Sequence, residues 1–287
     1  MIKKMFLAIL ALGIFATSCS SDDDNSISTT AELTLNLNGL EALGNDYVYE
    51  GWIIVDGAPV STGTFTSVAA SQTFTVNAAQ LASATTFVVS IEPAVDPDPA
   101  PADTKILAGD FSGDTASIDT GIVGDFSNAA GAFFLRTPTD ESGMNNGNDE
   151  NGVWFGTPGA PPMPNFVLPM LPDGWAYEGW VVGDSGPLST GTFTAFNLAD
   201  NAAPFSGASA GPPVPGEDFF MNEPVGETFP LDIRGRTVVI SIEPVPDDSP
   251  APFVMKPLVG VAGVDLAPAL HDFNQNLMSL PTGSVTR

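Results

Sequence analysis

Two segments of the chain closely repeat each other, and this repeat constrains the fold more than any other feature. YEGWIIVDGAPVSTGTFT (residues 49–66) returns as YEGWVVGDSGPLSTGTFT (residues 177–194), with 12 of 18 positions identical. A second block, TFVVSIEPAVDPDPAP (residues 86–101), returns as TVVISIEPVPDDSPAP (residues 237–252), with 10 of 16 positions identical. Two blocks that return in the same order indicate two domains of one kind rather than a solenoid of many short repeats.

The spacing of the two blocks predicts where the domains begin and end. The first block returns after 128 residues and the second after 151, so the second copy contains an inserted loop within residues 196–236. We predict a first domain over residues 31–125 and a second over residues 161–287. Residues 126–160 lie between them and contain two apolar runs around a polar stretch, which predicts a long connecting hairpin.

The repeated blocks have the pattern of β-strands rather than helices. The dipeptide Asp56-Gly57 supplies a turn between two strands, and Pro93 ends a later strand because proline cannot donate to a ladder. With 29 glycines and 26 prolines, the chain is predicted to be all-β, with two tandem immunoglobulin-like antiparallel β-sandwich domains joined by the hairpin. One helix is predicted, over residues 265–279, from apolar side chains at helical spacing.

The beginning of the chain has the pattern of a lipoprotein signal peptide, over residues 1–18. Lys3 and Lys4 precede an apolar run (residues 5–15) that is shorter than the roughly 20 residues of a membrane span. Small residues then lead to Cys19, the only cysteine of the chain. This arrangement resembles the lipobox of bacterial lipoproteins, whose cysteine thiol receives a diacylglycerol. We therefore predict lipidation at Cys19, with the lipid membrane as a partner.

An acidic segment follows the cysteine. Residues 19–30 are predicted to be a flexible tether, and their SSDDD stretch resembles the export signal of surface lipoproteins in Bacteroidota. The resemblance implies an outer-membrane, lipid-anchored protein exposed at the cell surface; a merely solvated acidic run is the alternative. The formal charge is −26, with 34 acidic and 8 basic residues. Since phosphate contacts need Lys and Arg, no nucleic-acid partner is expected.

The repeated pattern also resembles a known domain family. The pattern consists of a YEGW strand, an STGTFT strand, a strand ending in SIEP, a proline-rich loop and LAG or LVG. This order of motifs is similar to that of the C-terminal domain of anti-sigma-K factors (RskA). The resemblance implies an extracytoplasmic β-sandwich that is the non-catalytic outer part of a membrane regulator. It does not include the sigma-binding domain of such regulators, so direct binding of a sigma factor is not expected. We predict a non-enzymatic binding, sensor or structural module of the cell envelope, without a cofactor, whose partner is an unidentified envelope protein or glycan.

Carboxylates recur at equivalent positions of both copies. Glu50 and Glu92 correspond to Glu178 and Glu243, and each lies within or at the end of an apolar strand, where a carboxylate needs partners. Such pairs could serve as acid and base in glycoside hydrolysis. They could equally accept hydrogen bonds from loop amides in a structural role. Because the resemblance is to a non-enzymatic domain, we favour the structural role and predict no catalytic residues.

Two other arrangements would imply different functions. A nucleophilic site would have to combine His271, the only histidine, with a serine such as Ser61 or Ser189 of the STGTF turns. A platform for stacking sugars would use tryptophans. Trp52 and Trp180 occupy equivalent strand positions typical of a core, whereas Trp154 and Trp175 lie nearer to loops and are expected to be more exposed.

Oxygen ligands suitable for calcium cluster at the tip of the predicted hairpin. The candidate ligands there are Asn145, Asn148, Asp149 and Glu150, since hard oxygen donors suit Ca²⁺. Their spacing does not match an EF-hand loop, and acidic turns of this kind are commonly only solvated. A second acidic group, in the first proline-rich loop, comprises Asp96, Asp98 and Asp103. A glycan- or calcium-binding accessory or adhesion lipoprotein is therefore the alternative function.

Overall fold

The structure is a computed structural model that describes residues 28–141, 146–247 and 249–287. The signal segment, the lipidation position Cys19 and most of the acidic tether lie outside the described residues, as does the calcium candidate Asn145. Within the described part of the chain, no helix combines the length and apolar character that a membrane crossing requires.

The described chain consists almost entirely of antiparallel strands. Its first half contains β1 (Thr30–Asn38), β2 (Tyr47–Val55), β3 (Ala58–Phe65), β4 (Ser71–Asn77), the helix α1 (Ala78–Ser83), β5 (Thr86–Pro93), β6 (Lys105–Asp110), β7 (Thr115–Ile118) and β8 (Ala132–Leu135). Its second half contains β9 (Gly152–Phe155), β10 (Trp175–Val182), β11 (Pro187–Phe193), β12 (Gly216–Asp218), β13 (Thr237–Pro244), β14 (Leu258–Val261), β15 (His271–Asp272), β16 (Asn274–Gln275) and β17 (Thr282–Thr286). Short 3₁₀ turns occupy Thr120–Ile122, Asp149–Asn151 and Leu277–Ser279. The predicted all-β class is confirmed.

The strands form four antiparallel sheets that make up two sandwiches. In the first sandwich the sheet orders are β3-β2-β5-β6 and β4-β1-β17-β7. In the second sandwich they are β11-β10-β13-β14-β16 and β12-β9-β8-β15. Buried apolar side chains of both sandwiches belong to one connected core, which includes Leu35 and Phe87 from the first and Phe133 and Ile240 from the second.

Apart from β16, an extra edge strand of the second sandwich, the two sandwiches share one strand order, and each contains the last strand of the other half of the chain. If the chain is divided between β8 and β9, strands at equivalent positions of the two sandwiches are β1 and β9, β4 and β12, and β7 and β15. In the first sandwich, the position between β1 and β7 is filled by β17, from the C-terminal end. In the second, the equivalent position between β9 and β15 is filled by β8, from the first half. Each sandwich therefore needs a strand from the other half to complete its sheet.

This exchange differs from the predicted boundaries in two places. Strand β17, which the sequence assigns to the second domain (residues 161–287), lies in the first sandwich. Strands β8 and β9 form the predicted hairpin, with Phe133 opposite Phe155, but they build the second sandwich instead of connecting two finished domains. The repeated sequence blocks cover β2, β3, β5 and their equivalents. They leave out the exchanged strands, so no pattern marked the exchange.

The helix predicted over residues 265–279 is absent, and β15, β16 and a 3₁₀ turn occupy this range. Pro268 lacks the N–H that a helix interior requires. The apolar side chain of Phe273 packs instead on β8, with its ring centroid 5.0 Å from that of Phe133. The backbone N–H of Phe273 donates to the carbonyl of Gly131 at 3.0 Å. Tertiary packing of this segment therefore overrides its helical spacing.

Each YEGW strand carries a β-bulge directly after its glycine. A Cβ atom on Gly51 would lie 2.5 Å from the Oγ1 atom of Thr62, and one on Gly179 would lie 2.5 Å from Oγ1 of Thr190. Only glycine allows this close approach of the neighbouring strand. The bulge explains why the motif contains a glycine before its buried tryptophan in both copies.

Candidate functional site

A chain of buried polar side chains links the two central strands of the first sandwich. The indole N–H of Trp52, on β2, donates to Oγ of Ser90 on β5 at 2.8 Å. The Ser90 hydroxyl in turn donates to the carboxylate of Glu92. The backbone N–H of Ala102, in the proline-rich loop, donates to the same carboxylate at 2.8 Å. Glu92 is thereby tied both to its own sheet and to its own loop.

The same chain of side chains recurs in the second sandwich. The indole N–H of Trp180 donates to Oγ of Ser241 at 2.7 Å, and the Ser241 hydroxyl donates to Glu243. The backbone N–H of Phe253 donates to Glu243 at 3.0 Å. Both strand-end glutamates thus accept hydrogen bonds from loops of their own half, which is the arrangement expected of structural carboxylates.

The second glutamate of each copy lies on the neighbouring strand and accepts a hydroxyl hydrogen bond. Ser61 donates to Glu50, and Ser189 donates to Glu178. The two glutamates differ in their surroundings: Glu50 is half-buried, whereas Glu178 is only 5% exposed. Oε2 of Glu178 is buried and has no hydrogen-bond partner. Burial raises the pKa of Glu178 to about 7, the Ser189 hydrogen bond opposes this shift, and Asp247 adds to it.

Three carboxylates converge at the end of the second sandwich. Oxygen atoms of Glu178, Glu243 and Asp247 all lie within 4.8 Å of one another. Burial raises the pKa of Glu243 to about 8, and the adjacent carboxylates of Glu178 and Asp247 contribute in the same direction. In the first sandwich, burial likewise raises the pKa of Glu92, with smaller contributions from Glu50 and Asp96.

A cavity of about 510 Å³ lies where the SIEP strand ends of the two copies meet. Most of its wall is apolar or proline, and its carboxylates include Glu41 from the first half and Glu243 from the second. The backbones of the two halves come close beside it, since a Cβ atom on Gly174 would lie 2.8 Å from the carbonyl carbon of Asp103. Most of the residues that line the cavity come from the loop before β2, the β5–β6 loop and the β13–β14 loop. Both halves of the chain therefore shape this cavity.

A further buried carboxylate, Asp218, organises the hairpin side of the second sandwich. The indole N–H of Trp154 donates to Oδ1 of Asp218 at 2.8 Å, and the backbone N–H of Thr139 donates to Oδ2 at 2.8 Å. Asp218 is completely buried. Burial raises its pKa to about 6, and the hydrogen bonds from Thr139 and Trp154 limit the increase.

Glu217, the neighbour of Asp218, points to the other side of β12. Its carboxylate accepts a hydrogen bond from Ser206, while Oε2 is buried without a hydrogen-bond partner. Burial raises the pKa of Glu217 to about 8, with contributions from Asp200 and Asp218, and burial raises that of Asp200 to about 7. These acids lie in the insertion, whose composition predicts a loop. The sequence feature that indicates a buried strand in this segment is the GEDFF stretch, in which two acids precede two phenylalanines.

The tryptophans do not form an exposed platform. All four are 2–3% exposed. For Trp52 and Trp180 this confirms the predicted core position, whereas the exposure expected for Trp154 and Trp175 is wrong. Trp154 is held inside by Asp218, and Trp175 packs against Phe253 with ring centroids 6.1 Å apart.

The histidine and serine candidates have other partners. The backbone N–H of Gly263 donates to Nδ1 of His271 at 3.1 Å, and Nε2 lies 2.9 Å from the carbonyl oxygen of Asp265. Ser61 and Ser189 donate to glutamates, as described above. None of these hydrogen bonds joins His271 to either serine.

The described calcium candidates at the hairpin tip contact neighbouring protein groups. Oδ1 of Asn148 accepts a hydrogen bond from the Thr137 hydroxyl at 3.0 Å, and Oδ1 of Asp149 accepts one from the Thr137 backbone N–H at 3.2 Å. Oε1 of Glu150 lies 3.8 Å from Nη2 of Arg234. Calcium binding at this tip stays a prediction.

The two sandwiches share the buried Trp–Ser–Glu chain and the order of their main strands. Residues 25–105 match the family model described as "Anti-sigma-K factor rskA, C-terminal". The predicted resemblance is confirmed over this range, which contains Trp52, Ser90 and Glu92. No curated protein and no solved structure matches the chain.

Proposed function

We propose that this protein is a non-catalytic lipoprotein of the cell envelope, anchored through Cys19, whose two sandwiches act together as one extracytoplasmic binding or sensor module. The family match over residues 25–105 supports an extracytoplasmic domain of the anti-sigma-K type. The second sandwich repeats its strand order and its Trp–Ser–Glu chain, so we regard it as a second domain of this type. A lipid-anchored protein outside the cytoplasm would not meet a sigma factor, and the module would sense or bind partners in the envelope.

The observation that carries this proposal is the cavity of about 510 Å³ shared by the two halves. Ligand sites are concave, mostly apolar and equipped with a few polar groups, and they commonly lie between domains. Here the polar groups include the carboxylates of Glu41, Glu243 and Asp247. Such a wall favours a ligand with an apolar part and a positive charge, such as a peptide segment of an envelope protein. The buried tryptophans make a stacked sugar the less favoured ligand.

A bulky side chain in this cavity will remove partner binding. Ala42 is exposed and lines the cavity, so Ala42→Trp fills part of the site with little effect on the core. Ala82→Trp, on the exposed side of α1, is the matched control. We expect envelope proteins that cross-link to the full-length protein in intact cells to disappear with Ala42→Trp and to persist with Ala82→Trp. The same cross-linked proteins in both variants would contradict the assignment of the cavity as the site.

The anchor is tested separately. Cys19→Ala removes the thiol that would carry the lipid, so we expect the protein to lose its lipid mass and to leave the membrane fraction. Ser20→Ala keeps the cysteine and should remain bound to the membrane. Mass spectrometry and cell fractionation measure both properties, and protease treatment of intact cells reports surface exposure. Membrane retention of the Cys19→Ala protein would show that the lipoprotein assignment is wrong.

A further inference from the structure

We propose that the second sandwich contains a binding site for one divalent cation, preferably calcium, formed by Glu178, Glu243 and Asp247. The oxygen atoms that these side chains offer all lie within 4.8 Å of one another. Two oxygen atoms bound to one calcium ion at about 2.4 Å are at most about 4.8 Å apart. One ion can therefore contact all three carboxylates close to their present positions.

The buried oxygen of Glu178 is the observation that points to a ligand. The side chain of Glu178 is 5% exposed, and its Oε2 atom has no hydrogen-bond partner. A buried carboxylate oxygen without a donor is costly because it has lost its water. The groups nearby are the carboxylates of Glu243 and Asp247; both are acidic, and Asp247 can serve Glu178 as a partner only when the two carboxyl groups share a proton. A bound cation would supply the missing partner and remove the repulsion among the three acids.

The surrounding charges favour a cation further. Asp200 is close enough to Glu178 for each carboxylate to disfavour ionisation of the other. Lys256 is within electrostatic reach of Glu243, but its ammonium donates to the carbonyl oxygen of Phe253 at 2.6 Å. No ion pair within 4.0 Å of Glu178 or Glu243 occurs among the described residues. No ion pair therefore neutralises the two glutamates among the described residues, and at neutral pH a bound cation displaces the protons that their raised pKa values favour.

The type of ligand and the access to solvent select the ion. All three side chains offer oxygen, which is the donor preferred by calcium and magnesium, whereas zinc and copper sites use imidazole or thiolate. Glu243 and Asp247 also line the cavity. Water can therefore reach the ion and complete the six to eight oxygen ligands that calcium takes. Magnesium demands stricter octahedral geometry and should bind more weakly.

The first sandwich provides a matched comparison within the same chain. Glu50, Glu92 and Asp96 correspond in sequence to the three proposed ligands. Glu50 is half-buried and Asp96 is exposed, so water can solvate these carboxylates. Among the described residues, the second-sandwich set meets the distance criterion and the first-sandwich set does not. Variants of the first set are therefore controls of the same chemistry.

Calcium titration of the purified full-length protein tests the proposal. The protein is first treated with EDTA at neutral to mildly alkaline pH, and CaCl₂ or MgCl₂ is the probe. We expect saturable calcium binding by calorimetry and an increase in Tm. Glu178→Gln should lower the calcium affinity at least ~10-fold, as expected when a charged ligand of such a site is lost. Glu50→Gln should leave the affinity within about two-fold of the wild-type value.

Several results would overturn the proposal. One is a wild-type protein whose Tm and calorimetric signal do not respond to calcium, because a proton then suffices to satisfy Glu178. Another is calcium binding that survives Glu178→Gln and disappears with Asp149→Asn, which would place the ion at the hairpin tip. If Glu178→Gln fails to fold, Asp247→Asn at the partly exposed end of the cluster must show the same loss of affinity. These measurements use neither membrane retention nor partner cross-linking, so the site can fail without affecting the proposed envelope function.

Discussion

Removal of residues 282–287 will unfold the first sandwich, although these residues come from the far end of the chain. Strand β17 is paired on both sides, and Val285 lies opposite Leu35 of β1 and Ala116 of β7. Val285 is completely buried, and burial of one such side chain contributes about 1.5–3 kcal/mol. Loss of the strand also leaves two neighbouring strands with unpaired backbone groups. The total loss is comparable with the 5–15 kcal/mol that keeps a typical domain folded.

The C-terminal residue strengthens this expectation. Nη1 of Arg287 donates to the carbonyl oxygens of Leu81 and Ala84 at 2.7 and 2.8 Å, and these carbonyls lie at the end of α1. Its guanidinium carbon lies 4.4 Å from the centroid of the Phe111 ring. The truncation therefore also removes a charged donor to the C-terminal carbonyls of the only α-helix among the described residues.

Hydrogen exchange measures the effect strand by strand. In the truncated protein the amides of β1 and β7 should lose protection, whereas those of β8 and β9 should retain it. Val285→Asp should reproduce the pattern, because it buries a charge. Thr286→Asp is the control, since Thr286 is exposed on the same strand. Full protection of β1 without β17 would refute the exchanged arrangement.

The protein will become less stable as the pH rises from about 5 to about 8.5, in the presence of EDTA. Burial raises the pKa of Glu217 to about 8, far above the value of about 4.3 in an unfolded chain. The folded state therefore keeps a proton that the unfolded state releases. The resulting stabilisation is complete below the unfolded pKa and is lost as the pH rises through the folded pKa. Asp200 and Asp218, whose pKa values are about 7 and 6, act in the same direction.

Glu217→Gln isolates one of these contributions. Glutamine keeps the size and can still accept the Ser206 hydrogen bond, but it cannot ionise. We expect the variant and the wild type to have similar Tm values at about pH 5, with the variant more stable by about 1–3 kcal/mol at about pH 8.5. Glu32→Gln, at an exposed position, should leave the pH profile unchanged. A wild-type Tm that rises over this pH range would show that these buried acids do not have raised pKa values.

The sequence predicts the strands of the repeat well, because each repeated block carries its own turn, bulge glycine and terminating proline. It does not predict the exchange of β8 and β17. The last strand of each half could fill the equivalent sheet position in either sandwich. Both positions accept the same alternation of apolar and polar residues, so this pattern does not distinguish them. The absence of the helix predicted over residues 265–279 has a related cause, since Phe273 packs on Phe133 of β8 and this contact depends on the position of β8 in the second sandwich.

The candidate site is partly visible in the sequence. The recurrence of Glu50 and Glu92 as Glu178 and Glu243 identifies carboxylates that the structure brings together in each copy. The difference between the copies was not visible, because the burial of Glu178 depends on packing around β10 that Glu50 does not share. The acids Glu217 and Asp218 were missed for the opposite reason, since they lie in a segment whose composition is typical of an exposed loop.

The two halves of the chain exchange their last strands and so form one unit around a shared cavity. Asn36 and Ser284 are direct partners across β1 and β17. In the Cys19→Ala protein, the pair Asn36→Cys and Ser284→Cys should therefore form a disulfide within one molecule, without loss of fold. The pair Asn36→Cys and Ser249→Cys, which joins β1 to an exposed loop of the second half, should not. Peptide mapping of the oxidised monomer distinguishes the outcomes. A link between positions 36 and 284 supports the strand exchange, whereas cross-links only between molecules, or equal linking in the control pair, would contradict it.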